Sequence, residues 1–309
     1  MVCMRAAAAL AAASASTAAI AARGADPRVD CAPLPNSVEP TCMPWVNFGT
    51  GSSTKFLNAS TITTLTRTWL AIGGHGIDTA FVYKDEESVG EAIAAVSNRS
   101  SIFVTTKVPS EGFQSASDQA AANRKQLGVD SVDLLLVHFP SPNLDRLYGT
   151  WEALVNEAKT KHATAIGVSN FALADLKNLE RMNSPVRPAV NQIYAHVGCM
   201  PDKPLVDYCA EHGIRIEAYS PLGRGKVLTD PTLTGIAKRH SKSPAQVALQ
   251  YLIQKGIALA FTTTMPEYMR DNLSVVQPGT AFKLNDTDIV ELDAVNVACE
   301  RPHEMLSQA

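Results

Sequence analysis

From Pro44 onward the chain repeats one pattern: a short run of apolar residues, then a longer stretch in which apolar positions recur every three or four residues. The apolar runs are Trp45–Gly49, Gly76–Ala80, Ile102–Val108, Val132–Phe139, Ala163–Ser169, Ala189–His196, Ile214–Tyr219 and Ala258–Thr263. Most are β-branched and apolar at successive positions, as parallel strands covered on both faces must be. Between them Thr61–Ile72, Glu86–Val96, Leu147–Lys159 and Leu173–Arg181 each carry one apolar stripe and predict amphipathic helices. Ser243-Pro244 supplies an N-cap and a proline at the first helical position ahead of Ala245–Lys255, which Gly256 closes. Eight strands and seven crossovers predict an α/β fold, a single-domain (β/α)8 TIM barrel over residues 40–300. The competing doubly wound sheet needs a G-x-G-x-x-G turn after its first strand, and Gly49-Thr50-Gly51 lacks the third glycine.

Composition narrows the function classes. The 309 residues hold 27 Lys+Arg against 30 Asp+Glu, a net charge of -3 with neither sign clustered, which excludes a nucleic-acid footprint. Beyond the N-terminus no apolar run is long enough to span a bilayer, so the body is expected to have no membrane partner. Residues 1–30 read as a leader: Met1–Ala22 has Arg5 as its only charge among Ala, Ser and Thr, and the first acid is Asp26. It suits a signal peptide, an organelle transit peptide or an Ala-rich tail, so the compartment is the secretory pathway, an organelle or the cytoplasm. Cys3 would leave with the leader, and Cys31 with Cys42 could close a small loop. Cys199, Cys209 and Cys299 are scattered and read as reduced, partly buried thiols. No Cys/His cluster has metal-ligand spacing, so no metal is expected. Sequons at Asn58, Asn98, Asn272 and Asn285 permit glycosylation and argue little for it.

Barrels of this kind keep their active sites at the C-terminal ends of the strands. The polar residues at those ends are Asp78, Tyr83, Lys107, His138, Ser169, Asn170, Gln192, His196, Tyr219, Ser220 and Thr262. Taken singly, Asp78 with Lys107 is a rim salt bridge, His138 a core histidine and Tyr83 a packed aromatic. On one rim they form a constellation. An ammonium beside a phenol favours the phenolate and lowers its pKa, a carboxylate keeps the lysine charged, and a neutral histidine can orient a carbonyl.

The segments Met43-Pro44-Trp45, Gly76-Ile77-Asp78-Thr79-Ala80-Phe81-Val82-Tyr83 and Glu87-Ser88-Val89-Gly90 look like the opening of an aldo-keto reductase. Leu127-Gly128-Val129-Asp130, Leu134–Pro140, Ala165–Phe171, Asn191-Gln192 and Ala218–Gly223 follow in the family's order, and the resemblance runs to about Asn272. It implies an NAD(P)H-dependent oxidoreductase that reduces aldehydes or ketones by hydride transfer, with Asp78, Tyr83, Lys107 and His138 as catalytic tetrad and Tyr83 as proton donor. It further implies that Ser169, Asn170 and Gln192 hold the nicotinamide amide and that Tyr219 stacks on its ring. Ser220, Leu222 and Gly223 would pass over the pyrophosphate, and Asn272 would contact the adenine. Gly49, Thr50, Asp78, Thr262, Thr263 and Arg270 complete the expected cofactor contacts.

Departures from the family pattern carry information. Thr262 and Tyr268 stand where a lysine and an arginine usually anchor the ribose 2′-phosphate. NADP(H) is expected, with Arg270 or the threonines as replacement anchors, and NAD(H) stays open. Gly51 and Phe139 replace frequent tryptophans and should widen the substrate pocket. Residues 277–309 hold no motif, and a monomer acting on a small-molecule carbonyl substrate is expected. Two other readings are a non-catalytic, cofactor-binding regulatory subunit and an aldolase with a Schiff base on Lys107.

Overall fold

Strands that are apolar on both faces need cover inside and out, and closing the sheet supplies both at once. The computed structural model describes residues 31–51 and 58–299; the leader expected over residues 1–30 lies outside the described residues. A two-stranded sheet, β1 (Cys31–Pro33) with β2 (Cys42–Pro44), precedes the barrel. The barrel strands are β3 (Val46–Gly49), β4 (Gly76–Asp78), β5 (Phe103–Val108), β6 (Val132–Val137), β7 (Ala163–Ser169), β8 (Val190–Tyr194), β9 (Arg215–Tyr219) and β10 (Ala258–Phe261). All eight pair in parallel in chain order, and β10 closes on β3 through Leu259↔Val46 and Phe261↔Phe48.

The described helices are α1 (Ala59–Ala71), α2 (Glu86–Ile93), α3 (Phe113–Leu127), α4 (Leu144–Lys159), α5 (Leu173–Glu180), α6 (Lys203–Glu211), α7 (Pro231–His240), α8 (Pro244–Gln254), α9 (Pro266–Leu273) and α10 (Asp286–Asp293). Helix α8 begins as its sequence predicts, with Ser243 and Gln246 forming a capping box. Helix α3 has no apolar stripe. It docks through Ala116, Ala120 and Leu127, with buried Asn123 donating to Thr106 Oγ1 at 3.0 Å and Lys107 O at 3.2 Å.

Side-chain alternation turns every second residue inward, which layers the interior. At the N-terminal end Phe103, Leu134, Leu136, Ala165, Val190 and Ala258 pack with Leu34, just after β1, and Met43 of β2, a dry plug. Continuing the same alternation brings Lys107 on β5 and His138 after β6 inward at the opposite end. Outward residues such as Val104, Leu135, Ile166 and Leu259 join the helices in the main apolar cluster.

One expectation needs correction. Cys199 and Cys299 are joined in a disulfide across 100 residues, their Cα atoms 5.1 Å apart, so they are not reduced thiols. Only the fold brings them together, and sequence spacing carries no sign of it. Cys31 and Cys42 are also disulfide-bonded, while Cys209 is a free buried thiol that burial pushes up to about 12. The sequon asparagines have local structural duties: Asn58, Asn98 and Asn285 accept backbone N–H groups at helical N-termini, and Asn272 is buried.

Trp69 of α1 locks the seam where the barrel closes. Its ring packs against Phe48 and Phe261, its Nε1 donates to Gly76 O at 2.8 Å, and Gly74 lies so close that a Cβ there would sit 2.1 Å from the indole. Trp69→Ala should therefore lower unfolding free energy by about 3–5 kcal/mol, read as a shift of the urea midpoint.

Candidate active site

Three strand ends and one short helical turn meet at the mouth. Asp78 ends β4 beside Gly49, and Thr50 N donates to Asp78 O at 2.9 Å. The next residues form a 3₁₀ turn, Phe81–Tyr83, which Lys84 ends in the left-handed conformation at φ 62°. The fully buried Lys107 ammonium spends its three donors on Asp78 Oδ1 at 2.5 Å, Thr79 O at 3.0 Å and Tyr83 Oη at 3.4 Å. The His138 ring stands edge-on to Tyr83 with centroids 5.6 Å apart, and Phe139 stacks on it at 4.8 Å. The structure thus brings Asp78, Tyr83, Lys107 and His138 together.

Burial and charge set the protonation states. Burial opposes the Lys107 charge, but Asp78 and Tyr83 hold its pKa above the ordinary lysine range. The expected lowering of the Tyr83 pKa by Lys107 is present but subordinate: burial raises the phenol above its usual value despite the lysine. Tyr83 is consequently a protonated phenol at neutral pH. Burial, with Lys107 nearby, brings the His138 imidazole down to about 3, so the ring is neutral.

A cavity of about 180 Å³ opens above these groups, lined by Gly49, Gly51, Asp78, Tyr83, His138, Phe139, Ser169, Asn170, Gln192, Tyr219, Ser220, Arg224, Ala260 and Thr262. Its polar wall is wired internally. Asn170, left-handed at φ 64°, donates to His138 O at 2.9 Å and Ser169 Oγ at 3.0 Å, and accepts from Tyr219 Oη at 2.9 Å. Ser169 Oγ donates to Gln192 O at 2.9 Å. An apolar groove of about 300 Å³, lined by Val82, Pro109, Phe139, Pro140 and Pro142 with Ser110 and Glu111, shares His138 and Phe139 with the cavity.

The remaining expected residues are more dispersed. Thr262 Oγ1 donates to Gly51 O at 3.5 Å and Thr263 Oγ1 accepts from Met265 N at 3.2 Å, so each hydroxyl has a backbone partner. Leu222 is half-buried, and Gly223 sits against the His196 ring at φ 55°. On α9, Arg270 and Tyr268 are exposed while Asn272 is buried. At Gly51 a Cβ would fall 2.5 Å from Tyr83 Cζ, so glycine admits the tyrosine ring. Sequence reasoning passed over Arg224, Ala260 and the fully buried Glu217, which accepts from Gln192 Nε2 at 2.7 Å and Asn47 Nδ2 at 3.0 Å. A lone acid within the apolar run Ile214–Tyr219 was the available signal for Glu217.

The family model for the Aldo/keto reductase family matches residues 46–297. The chain belongs to the aldo/keto reductase family. This aldo/keto reductase is 39% identical over 209 residues to one from Mycobacterium tuberculosis, covering 67% of this chain and 73% of that protein. It is 35% identical over 271 residues to a glyoxal reductase of Bacillus subtilis, covering 86% and 93%. A crystal structure of an aldo/keto reductase from Brucella melitensis superposes with a TM-score of 0.78 at 34% identity, covering 85% of this chain and 97% of that one. A Gox0644 variant in complex with NADPH superposes with a TM-score of 0.77 at 28% identity, covering 84% and 92%. Family membership makes the chain an oxidoreductase.

The depressed His138 pKa has a direct consequence. Because the folded value lies below that of the free side chain, the native state resists protonation, and His138 costs stability as pH falls below the unfolded value of about 6.5. The His138 imidazole signals in an NMR titration should stay those of a neutral ring from pH 8 down to about pH 4. A midpoint near pH 6.5 would show that the ring is solvated.

Proposed function

We propose that this aldo/keto reductase reduces aldehydes or ketones to alcohols with NADP(H), Tyr83 acting as proton donor. The observation that carries this reading is the convergence of Tyr83 Oη, the Lys107–Asp78 pair and a neutral His138 on the cavity floor. Tyr83 Oη holds a proton at neutral pH and passes it to a carbonyl oxygen seated between the phenol and the imidazole. Lys107, 3.4 Å from the phenolic oxygen, stabilises the charge left on Tyr83, and Asp78 keeps the ammonium fixed and charged. The same pairing disfavours a Schiff base on Lys107, which needs a neutral, free amine.

The cavity wall suits a nicotinamide. Tyr219 offers a half-buried aromatic face, and Asn170 and Gln192 keep amide oxygens able to accept from a carboxamide. When bound, the cofactor supplies the hydride to the carbonyl carbon. The NADPH held by the Gox0644 relative supports NADP(H) here, with exposed Arg270 as the cation that would replace the absent anchors. Similarity to a glyoxal reductase supports a small aldehyde as substrate, with the Val82–Phe139 groove accommodating an apolar substituent. The Cys199–Cys299 disulfide is chemistry that persists in oxidising compartments, which supports the secretory reading of the leader.

Tyr83→Phe should retain nucleotide binding and lose about 10²–10⁴-fold in turnover with a carbonyl panel; undiminished reductase activity would remove Tyr83 from the mechanism. Arg270→Ala should weaken NADPH and leave NADH unchanged in fluorescence titration. Equal effects on the two nucleotides would make Arg270 a solvated surface residue.

A further inference from the structure

Beneath the tetrad lies a chain of buried polar groups that proton transfer from Tyr83 does not use. Gln192 on β8 donates through Nε2 to Asp78 Oδ2 and to Glu217 Oε2, both at 2.7 Å. Glu217 on β9 accepts at its other oxygen from Asn47 Nδ2 at 3.0 Å, and Asn47 on β3 also donates to Leu259 O at 3.2 Å. Five strands therefore contribute to one buried line from the barrel floor to its mouth: Asn47, Glu217, Gln192, Asp78 and Lys107.

The chemistry of this line fixes the orientation of one amide. A carboxylate accepts hydrogen bonds, so the two acids on either side of Gln192 hold its NH₂ group between them. The amide oxygen, Oε1, is left for the cavity that Gln192 lines. With Glu217 absent, one N–H would lose its buried acceptor and the amide would be free to rotate. The groups facing Glu217 are Gln192, Asn47, Asp78 and Lys107 across the barrel, while β10 presents only Ala258 and Ala260. Burial and the neighbouring Asp78 push the Glu217 carboxyl up to about 7, so an uncharged isostere is a fair replacement for it.

We propose that Glu217 is a positioning residue for the cofactor: it and Asp78 clamp the Gln192 NH₂ group, which turns the Gln192 oxygen to accept from the nicotinamide carboxamide. This rests on the nicotinamide reading of the cavity. A side chain that only filled the barrel would act equally on every binding step. A clamp on Gln192 acts on the nucleotide and on turnover, and spares the affinity for the carbonyl.

The test is a double-mutant cycle on the full chain, with Glu217→Leu, Glu217→Gln, Gln192→Ala and the Gln192→Ala/Glu217→Leu pair. NADPH affinity is read by fluorescence titration, kcat and carbonyl KM by absorbance, and folding by circular dichroism. Glu217→Leu should weaken NADPH by about tenfold or more, the loss expected for one buried hydrogen bond to an acid, with carbonyl KM unchanged. Glu217→Gln, which keeps an acceptor, should restore affinity to within about threefold. In the Gln192→Ala background, Glu217→Leu should add nothing. Wild-type affinity in folded Glu217→Leu would overturn the proposal, as would a full Glu217→Leu effect in the absence of Gln192. Should Glu217→Leu fail to fold, a Glu217→Gln protein no tighter than Gln192→Ala would also overturn it. Failure of the wild type to bind either nucleotide would instead remove the cofactor reading itself.

Discussion

A fully buried ammonium cannot remain charged without partners, and Lys107 is held by Asp78, Thr79 O and Tyr83 Oη in the middle of a barrel. The other features of the mouth follow from that requirement. Asp78 must reach Lys107 from the neighbouring strand, so β4 and β5 pair with Asp78 opposite Thr105. The chain must then turn sharply enough to bring Tyr83 back over the ammonium, which the 3₁₀ turn and left-handed Lys84 accomplish. Thr79 and Asp85 brace the turn through a hydrogen bond of 2.7 Å. A pair this well satisfied keeps its geometry while a neutral phenol and a neutral imidazole stand beside it.

Layering decides where polar chemistry can exist in such an interior. The N-terminal end of the barrel is plugged by Leu34, Met43, Phe103, Leu134 and their neighbours, which closes that end with apolar side chains. Above the plug, the buried acids are answered by hydrogen-bond donors. Gln192 donates to both Asp78 and Glu217, and Asn47 donates to Glu217. Small residues make room for these groups: Gly76 yields to Asn47, where a Cβ would sit 1.8 Å from Oδ1, and Gly51 yields to Tyr83. Glycine at both places serves close approach, since neither has a positive φ.

Most of the architecture was legible because hydrophobic pattern is local. All eight strands were readable as apolar runs, although Val132–Phe139 ends at Val137 and Gly76–Ala80 at Asp78. Helix α3 was not legible: apart from Leu127 at its end, its buried side is made of alanines and Asn123, which carry little apolar signal. The tetrad could be located from the rule that strand ends carry function, together with motif order. The balance of forces on Tyr83 could not, because burial outweighs Lys107 only once the surrounding protein is in place.

By itself, the sequence determined the alternation of strands and helices, the order of the strands around the barrel, the family, and the residue types available at the mouth. These follow from hydrophobic period, turn residues and spacing, all of which act over a few residues of chain. Tertiary structure decided which of those residues touch. It joined Cys199 to Cys299 across 100 residues and set Glu217 against Gln192. It also turned Thr262 toward Gly51. Such contacts depend on where β-strands distant in sequence come into register, and on how dry the space between them becomes. No local pattern of residues encodes either quantity.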